Sequence, residues 1–432
     1  MRQLIRTLRD DLLPGTERGR LVRATIATAA MKMLATGIAF LASLLYARVL
    51  GPHDYGLFAY VIAWTAILTI PASLGFPQYL VREGAKLPGQ IGWLRRWADV
   101  RVVATGVIAG LLLACAVWLP QAAGARWLFV LASPIPLLAN LSAVRQALLQ
   151  ARGLIVRSQW PQLVFAPSLT LILLVAWWLW HGTFGAAQVV IATIIAALLQ
   201  VGVNIVQLGR VRVNESVAQE RDGASVMAAL PFMWIGALYL VMSRVDLILL
   251  GTLKGASAAG IYAIAARAAE FVPFFLVAVN TAMGPKISRL FHMGEHEKLQ
   301  RLATASARRL MWITLPLALL MIALAHPLIR FFYGERFLDG ATALQILVVA
   351  QFFTIASGPV GIILNMTGHA GLSARALASG ALLNVLLNIL LIPRFSYTGA
   401  ATATAISIAC CNGLRWYWVR SHLRIKPSAF GA

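Results

Sequence analysis

Acidic residues are scarce in this chain. Only 15 of its 432 residues are Asp or Glu, against 37 Lys and Arg, and 12% of the chain is charged. A soluble domain carries about twice that charged fraction. With 60% of residues hydrophobic and a mean hydropathy of +0.78, a soluble fold of this length could not hide its apolar surface. Cysteine is scarce as well. Cys115, Cys410 and Cys411 all fall inside apolar runs, which excludes a disulfide framework and any Cys/His metal spacing. No P-loop, hydrolase triad, zinc motif or carboxylate dyad is present, so neither a metal nor a cofactor is expected. Long outer connectors are lacking too: the longest, Arg330 to Gly340, is too short to hold an extramembrane catalytic domain. That argues against an enzyme and makes a membrane polysaccharide polymerase or ligase the third reading.

What the chain does have is a series of apolar runs. A spanning helix takes about 20 mostly apolar residues, and runs of that kind occupy 24–47, 56–77, 101–119, 126–148, 161–181, 186–208, 228–250, 258–283, 309–329, 341–365, 372–392 and 397–419. The fold class expected is an all-α polytopic membrane protein with about twelve transmembrane helices. The first run follows a basic leader (Arg2, Arg6, Arg9, Arg18, Arg20, Arg23) but is longer than a signal-peptide core, so it is expected to stay as a helix. The net charge of +22 does not point to nucleic acid, because the basic residues are spread through short connectors. Alternate connectors, with the span ends that flank them, hold 28 of the Lys and Arg residues and the others 6. By the positive-inside rule this places both termini in the cytoplasm.

The sequence repeats itself. Gly51 to Ala59 reads GPHDYGLFA, and Gly255 to Ala263 reads GASAAGIYA. Both fit GxxxxG-[LI]-[FY]-A and both follow an apolar helix. Gly185-Ala186-Ala187 and Gly399-Ala400-Ala401 open the last helix of each half. The similar offsets predict two parallel six-helix repeats: a bundle over 1–208, a cytoplasmic linker over 209–226, and a second bundle over 227–432.

Charges inside membrane spans are costly and mark functional candidates. Lys32 lies on the first helix, on one face with Thr25, Thr36 and Ser43. Arg48 ends that helix at the outer boundary. Arg244 and Asp246 lie in the seventh span, two apart and so pointing in different directions. Arg267 and Glu270 lie in the eighth, three apart and able to pair. Uncharged stripes support a wet cavity: Thr193, Gln200, Asn204 and Gln207 in the sixth span, Ser357, Gly361 and Asn365 in the tenth, and Asn384 and Asn388 in the eleventh. Prolines within or near spans, among them Pro71, Pro134, Pro167, Pro273 and Pro359, permit kinks.

The stretch Ala47 to Ala59 (ARVLGPHDYGLFA) resembles the first-loop signature of the Wzx-type O-antigen flippases. These are polysaccharide transporters of the multidrug/oligosaccharidyl-lipid/polysaccharide exporter superfamily. Asn384 to Ala401 (NVLLNILLIPRFSYTGAA) is similar to that family's eleventh-to-twelfth helix segment. The resemblance implies a V-shaped, MATE-like pair of bundles in the bacterial inner membrane. It implies transfer of an undecaprenyl-pyrophosphate-linked oligosaccharide from the inner to the outer leaflet, for lipopolysaccharide O-antigen or similar surface glycans. Expected partners are this substrate, membrane lipid, a polysaccharide polymerase and glycosyltransferases. Lys32, Arg48, Arg244 and Arg267 are then the candidate substrate-binding cations. Asp246 and Glu270 are the coupling or ion-pair carboxylates, and Thr36, Gln200, Asn204, Asn365, Asn384 and Asn388 line the cavity. Related drug exporters often carry a carboxylate in the first helix. This chain has none there, which disfavours the second reading, a multidrug or small-solute/cation antiporter of the same fold.

Overall fold

The computed structural model describes residues 17–86, 91–116, 126–210 and 226–429. Nine helices among them are long and apolar enough to cross a membrane. Two of the nine are hairpins. Glu17–Ser73 turns back at Gly51, whose φ/ψ of 71/179 is non-helical. Tyr46 and Phe58 would stand about 18 Å apart on a straight helix, yet their ring centroids are 5.8 Å apart. Ala370–Leu423 turns back at Ser396 (φ 50, ψ −130). There Asn384 and Thr404, about 30 Å apart on a straight helix, hydrogen-bond at 3.3 Å.

The eighth crossing is broken near Pro273 into Ala256–Ala269 and Phe274–His292, since proline lacks the N–H that would continue the ladder. Among the described residues, two hairpins, seven single helices and this broken one make the twelve crossings expected. An even number puts Glu17 and Ala429, the first and last described residues, on one side, termed here the terminal face; the opposite side is the far face. Two helices reach further toward the terminal face than the apolar runs suggest: Ile91–Cys115 and His296–Ala323. Their added turns are rich in Arg, Lys and Glu, which water and headgroups solvate while the backbone ladder continues. Residues 211–225 of the expected linker lie outside the described residues.

The two GxxxxG motifs fold alike and meet. Gly255 (φ/ψ 86/176) copies the backbone of Gly51, and both values suit glycine. A Cβ added at Gly56 would collide with the Ala256 carbonyl and lie 2.8 Å from the Gly260 nitrogen. One added at Gly260 would collide with the Pro52 carbonyl and lie 3.0 Å from the Gly56 nitrogen. Small residues permit this backbone-to-backbone approach between membrane helices. The largest core cluster continues across it, from Tyr46, Tyr55 and Tyr60 in the first half to Leu250, Tyr262 and Phe337 in the second.

Two seams run from this crossing toward the terminal face. The seam between the second and seventh spans stays closed: Tyr60 packs on Gly251 and bonds Thr252 at 2.9 Å, Ile70 touches the Gly236 position, and Gly75 abuts Ala229. The seam between the first and eighth spans is held by Phe40 against Phe271, edge to face with centroids 4.8 Å apart. Beyond that pair it gives way to a cavity.

Candidate functional site

The cavity has a volume of about 650 Å³ and lies on the terminal-face side of Phe40 and Phe271. The first span contributes Lys32 and Thr36, the seventh Tyr239 and Ser243, and the eighth Arg267 and Glu270. Arg267 Nη1 donates to Glu270 Oε2 at 2.9 Å, with the two side chains 40% and 53% exposed. The pair therefore forms part of a polar wall and is not locked inside a packed core. Thr36 Oγ1 donates back to the Lys32 carbonyl at 3.0 Å, a local bond that leaves the Lys32 ammonium exposed toward the cavity.

A smaller cavity of about 300 Å³ adjoins it inside the second half and shares Tyr239, Ser243, Glu270 and Gln351 as lining. Asp246 sits at its inner end, 5% exposed. Its carboxylate accepts the Leu247 N–H at 2.7 Å, the Thr404 hydroxyl at 3.2 Å and the Tyr262 hydroxyl. Asn384 Nδ2 donates to Thr404, and Asn388 Nδ2 donates to the Asn384 carbonyl and side-chain oxygen at 2.8 and 3.1 Å. The seventh, eighth, eleventh and twelfth spans are thus joined by one polar chain. Buried carboxylates in this setting need such donors, because unpaired polar groups are costly in low dielectric. Asn384 and Asn388 are both fully buried and lie behind the cavity wall, not on it.

Other expected residues are placed elsewhere. Arg48 is at the far face, where its guanidinium donates to the Phe331 and Phe332 carbonyls at 2.5 and 3.1 Å and ties the first half to the second. Arg244 is exposed on the seventh span and lines neither cavity. Gln200 and Asn204 converge on the Ser142 hydroxyl, each at 2.7 Å. They fasten the fourth and sixth spans inside the first half, and neither lines the two cavities. Asn365 is exposed at the terminal-face end of the tenth span. The structure therefore brings Lys32, Thr36, Arg267 and Glu270 to one cavity and joins Asp246, Asn384 and Asn388 in one network. Arg48, Gln200, Asn204 and Asn365 stay apart from both, and Arg244 lines neither cavity.

Tyr239, Ser243, Gln351, Tyr262 and Thr404 escaped the reading of the sequence. Uncharged residues carry no intrinsic cost that flags them. Only Tyr262 had a signal, since it fills the [FY] position of the second repeat motif. Arg145 was missed as a buried group as well. It is 8% exposed and donates to both oxygens of Asp99, at 2.9 and 3.3 Å, joining the third and fourth spans.

Known proteins show consistent similarities. The family model described as polysaccharide biosynthesis protein matches residues 21–291, more than half of the chain. A second, described as MatE, matches residues 231–390. A probable low-salt glycan biosynthesis flippase from Haloferax volcanii is 26% identical over 184 residues, which is 43% of this chain and 39% of that protein. An uncharacterized membrane protein of Methanocaldococcus jannaschii is 30% identical over 166 residues, 38% of this chain and 33% of that one. The chain thus spans less than two-fifths of these curated relatives. Among solved structures, a multidrug resistance MATE family transporter in an inward-facing conformation matches with a TM-score of 0.69 at 15% identity, over 92% of this chain and 94% of that one. The lipid II flippase MurJ in an inward closed conformation gives 0.66 at 17% identity, over 93% and 88%. At such identities the shared property is the fold, a helical polytopic bundle of the MATE type.

Proposed function

The chain belongs to the polysaccharide biosynthesis protein family, and on that premise we propose that it flips a lipid-linked oligosaccharide across a membrane. The specific substrate proposed is an undecaprenyl-pyrophosphate-linked oligosaccharide, carried from the inner to the outer leaflet of a bacterial inner membrane. The terminal face is assigned to the cytoplasm, and residues 1–208 and 227–432 act as two bundles that rock about the far-face crossing. The observation that carries this reading is the cavity beside Lys32 and Arg267, open below Phe40 and Phe271 and sealed above by the Gly56–Gly260 contact.

An anionic pyrophosphate entering that space meets an ammonium and a guanidinium, whose planar donors match phosphate oxygens in pairs. Thr36, Tyr239, Ser243 and Gln351 offer hydroxyls and an amide to sugar hydroxyls. Arg48 and Arg244 stand outside the cavity in this conformation and are proposed to meet the headgroup once the far face opens. Opening requires Arg48 to release the Phe331 and Phe332 carbonyls. Asp246 is the proposed coupling carboxylate: it is buried, linked by Tyr262 and Thr404 to three other spans, and close to the cavity wall.

A glycan polymerase and glycosyltransferases would act downstream and upstream of such a flippase. A strain lacking the protein is expected to accumulate lipid-linked repeat units on the cytoplasmic face of its membrane. Normal surface glycan combined with altered drug tolerance would instead support multidrug antiport, the second reading, which the MATE-like fold keeps in view.

A further inference from the structure

Away from the central cavity, on the terminal face of the second half, three sequence-distant segments converge on a pocket of about 850 Å³. His296 and Arg301 come from the start of helix His296–Ala323. His369 comes from the start of Ala370–Leu423, His422 from its end, and Arg424 from the tail that follows. The one carboxylate on the wall, Glu297, is 3.4 Å from Arg301 Nη2. Two guanidinium groups and three imidazoles therefore face a single acid, which forms a solvent-exposed pair with Arg301.

The pocket is built and held. The tail's Lys426 N–H donates to Gln300 Oε1 at 2.5 Å, and Gln300 Nε2 donates to the Lys426 carbonyl at 2.7 Å. Ile425 is 1% exposed beneath it. Arg424 has φ 55 and ψ 26, the left-handed conformation that a helix end usually gives to Gly or Asn. Both terminal imidazoles are oriented: His369 Nδ1 is 3.2 Å from the Thr367 hydroxyl, and His422 Nδ1 is 2.9 Å from that of Ser421. Their rings lie edge to face, 6.0 Å between centroids.

We propose that this pocket binds a phosphate group, by guanidinium forks from Arg301 and Arg424 and imidazole donors from His296, His369 and His422. Planar guanidinium donors match phosphate oxygens in pairs, and the surrounding connectors lie where spans leave the bilayer. The phosphate can come from an anionic lipid headgroup or from a soluble phosphate, and both sources share this recognition chemistry. None of these residues lines the central cavity, so the site stands or falls independently of the transport reading.

The test uses the full-length protein in nanodiscs. In one arm, phosphatidylglycerol and phosphatidylcholine are mixed, and lipid retained by the protein is counted by native mass spectrometry. In the other, the discs are pure phosphatidylcholine and inorganic pyrophosphate is titrated by calorimetry. R301Q with R424Q, and separately H422Q, are compared with the wild type and with K254Q, a cation outside the pocket. Losing two charge-assisted contacts predicts a drop of about tenfold or more in the double variant in at least one arm. A smaller drop is expected in H422Q and none in K254Q. The arm that responds identifies the source. Binding unchanged in both pocket variants, or absent from the wild type in both arms, overturns the proposal.

Discussion

Gly56 and Gly260 pack backbone against backbone at the far face, at positions that the internal repeat makes equivalent. Each glycine is aimed at the other half's first motif turn, Gly56 at Ala256 and Gly260 at Pro52. The contact is therefore pseudo-symmetric, and it sets how closely the halves approach. Even a methyl group has no room there. G260V is expected to lower stability by about 1–3 kcal/mol through overpacking and to slow flipping, with G260A intermediate. Thermal unfolding of the purified protein, read beside a flipping assay, checks this; wild-type behaviour in both would remove the crossing from the mechanism.

Lys32 and Arg267 face the same cavity from opposite halves. K32A and R267A are each expected to weaken binding of a pyrophosphate-linked lipid by about tenfold, the cost of one charge-assisted contact. K32R should retain most of the binding, because it keeps the charge. Equilibrium binding in detergent, at matched thermal stability, measures both.

Glu270 accepts a hydrogen bond from Arg267, and under the proposed function it competes with the substrate for that guanidinium. E270Q leaves the guanidinium without its partner and is expected to tighten binding of the anionic headgroup while slowing release. The signature is a lower apparent KM with a lower turnover. Loss of affinity in E270Q would mean instead that the ion pair holds Arg267 in place.

Asp246 is positioned by donors on the eighth and twelfth spans. D246N keeps the size of the side chain and removes its charge. It is expected to bind substrate normally and to lose the dependence of transport on an imposed ion gradient. A variant that still responds to the gradient would exclude Asp246 as the coupling group.

The Arg145–Asp99 pair predicts a purely structural effect. R145A removes the buried partner of Asp99, which keeps Arg95 at 3.4 Å, and is expected to cost about 1–3 kcal/mol. Replacing both residues with Met and Leu should cost less than R145A alone. Denaturation of the wild type, R145M, D99L and R145M/D99L in one detergent gives the cycle; additivity of the two single changes would mean that the pair is not coupled.

Much of the fold was legible because membrane spans announce themselves by hydropathy, and because the repeat glycines were visible as a spaced motif. The hairpin at Gly51 and the break near Pro273 follow from residue types that continue a helix poorly, whereas Ser396, where the second hairpin turns, carries no such signal. The site was less legible. Lys32, Arg267 and Glu270 stood out because charge in a span is costly. Gln200 and Asn204 look the same in sequence as cavity residues, yet they bond to Ser142 across a helix interface, which only tertiary packing decides. Arg48 had the chemistry of a phosphate ligand, but in this conformation backbone carbonyls at the far face take its donors.

The central claim is that the charged cavity carries a pyrophosphate-linked glycan lipid from one leaflet to the other. It is tested most directly in proteoliposomes loaded with undecaprenyl-pyrophosphate-linked oligosaccharide, by following how fast the glycan becomes accessible to a membrane-impermeant glycosidase. The account predicts rapid exposure with the wild type and, with K32A/R267A, a rate no higher than in protein-free vesicles. Wild-type rates in that double variant, or no protein-dependent exposure at all, would contradict it.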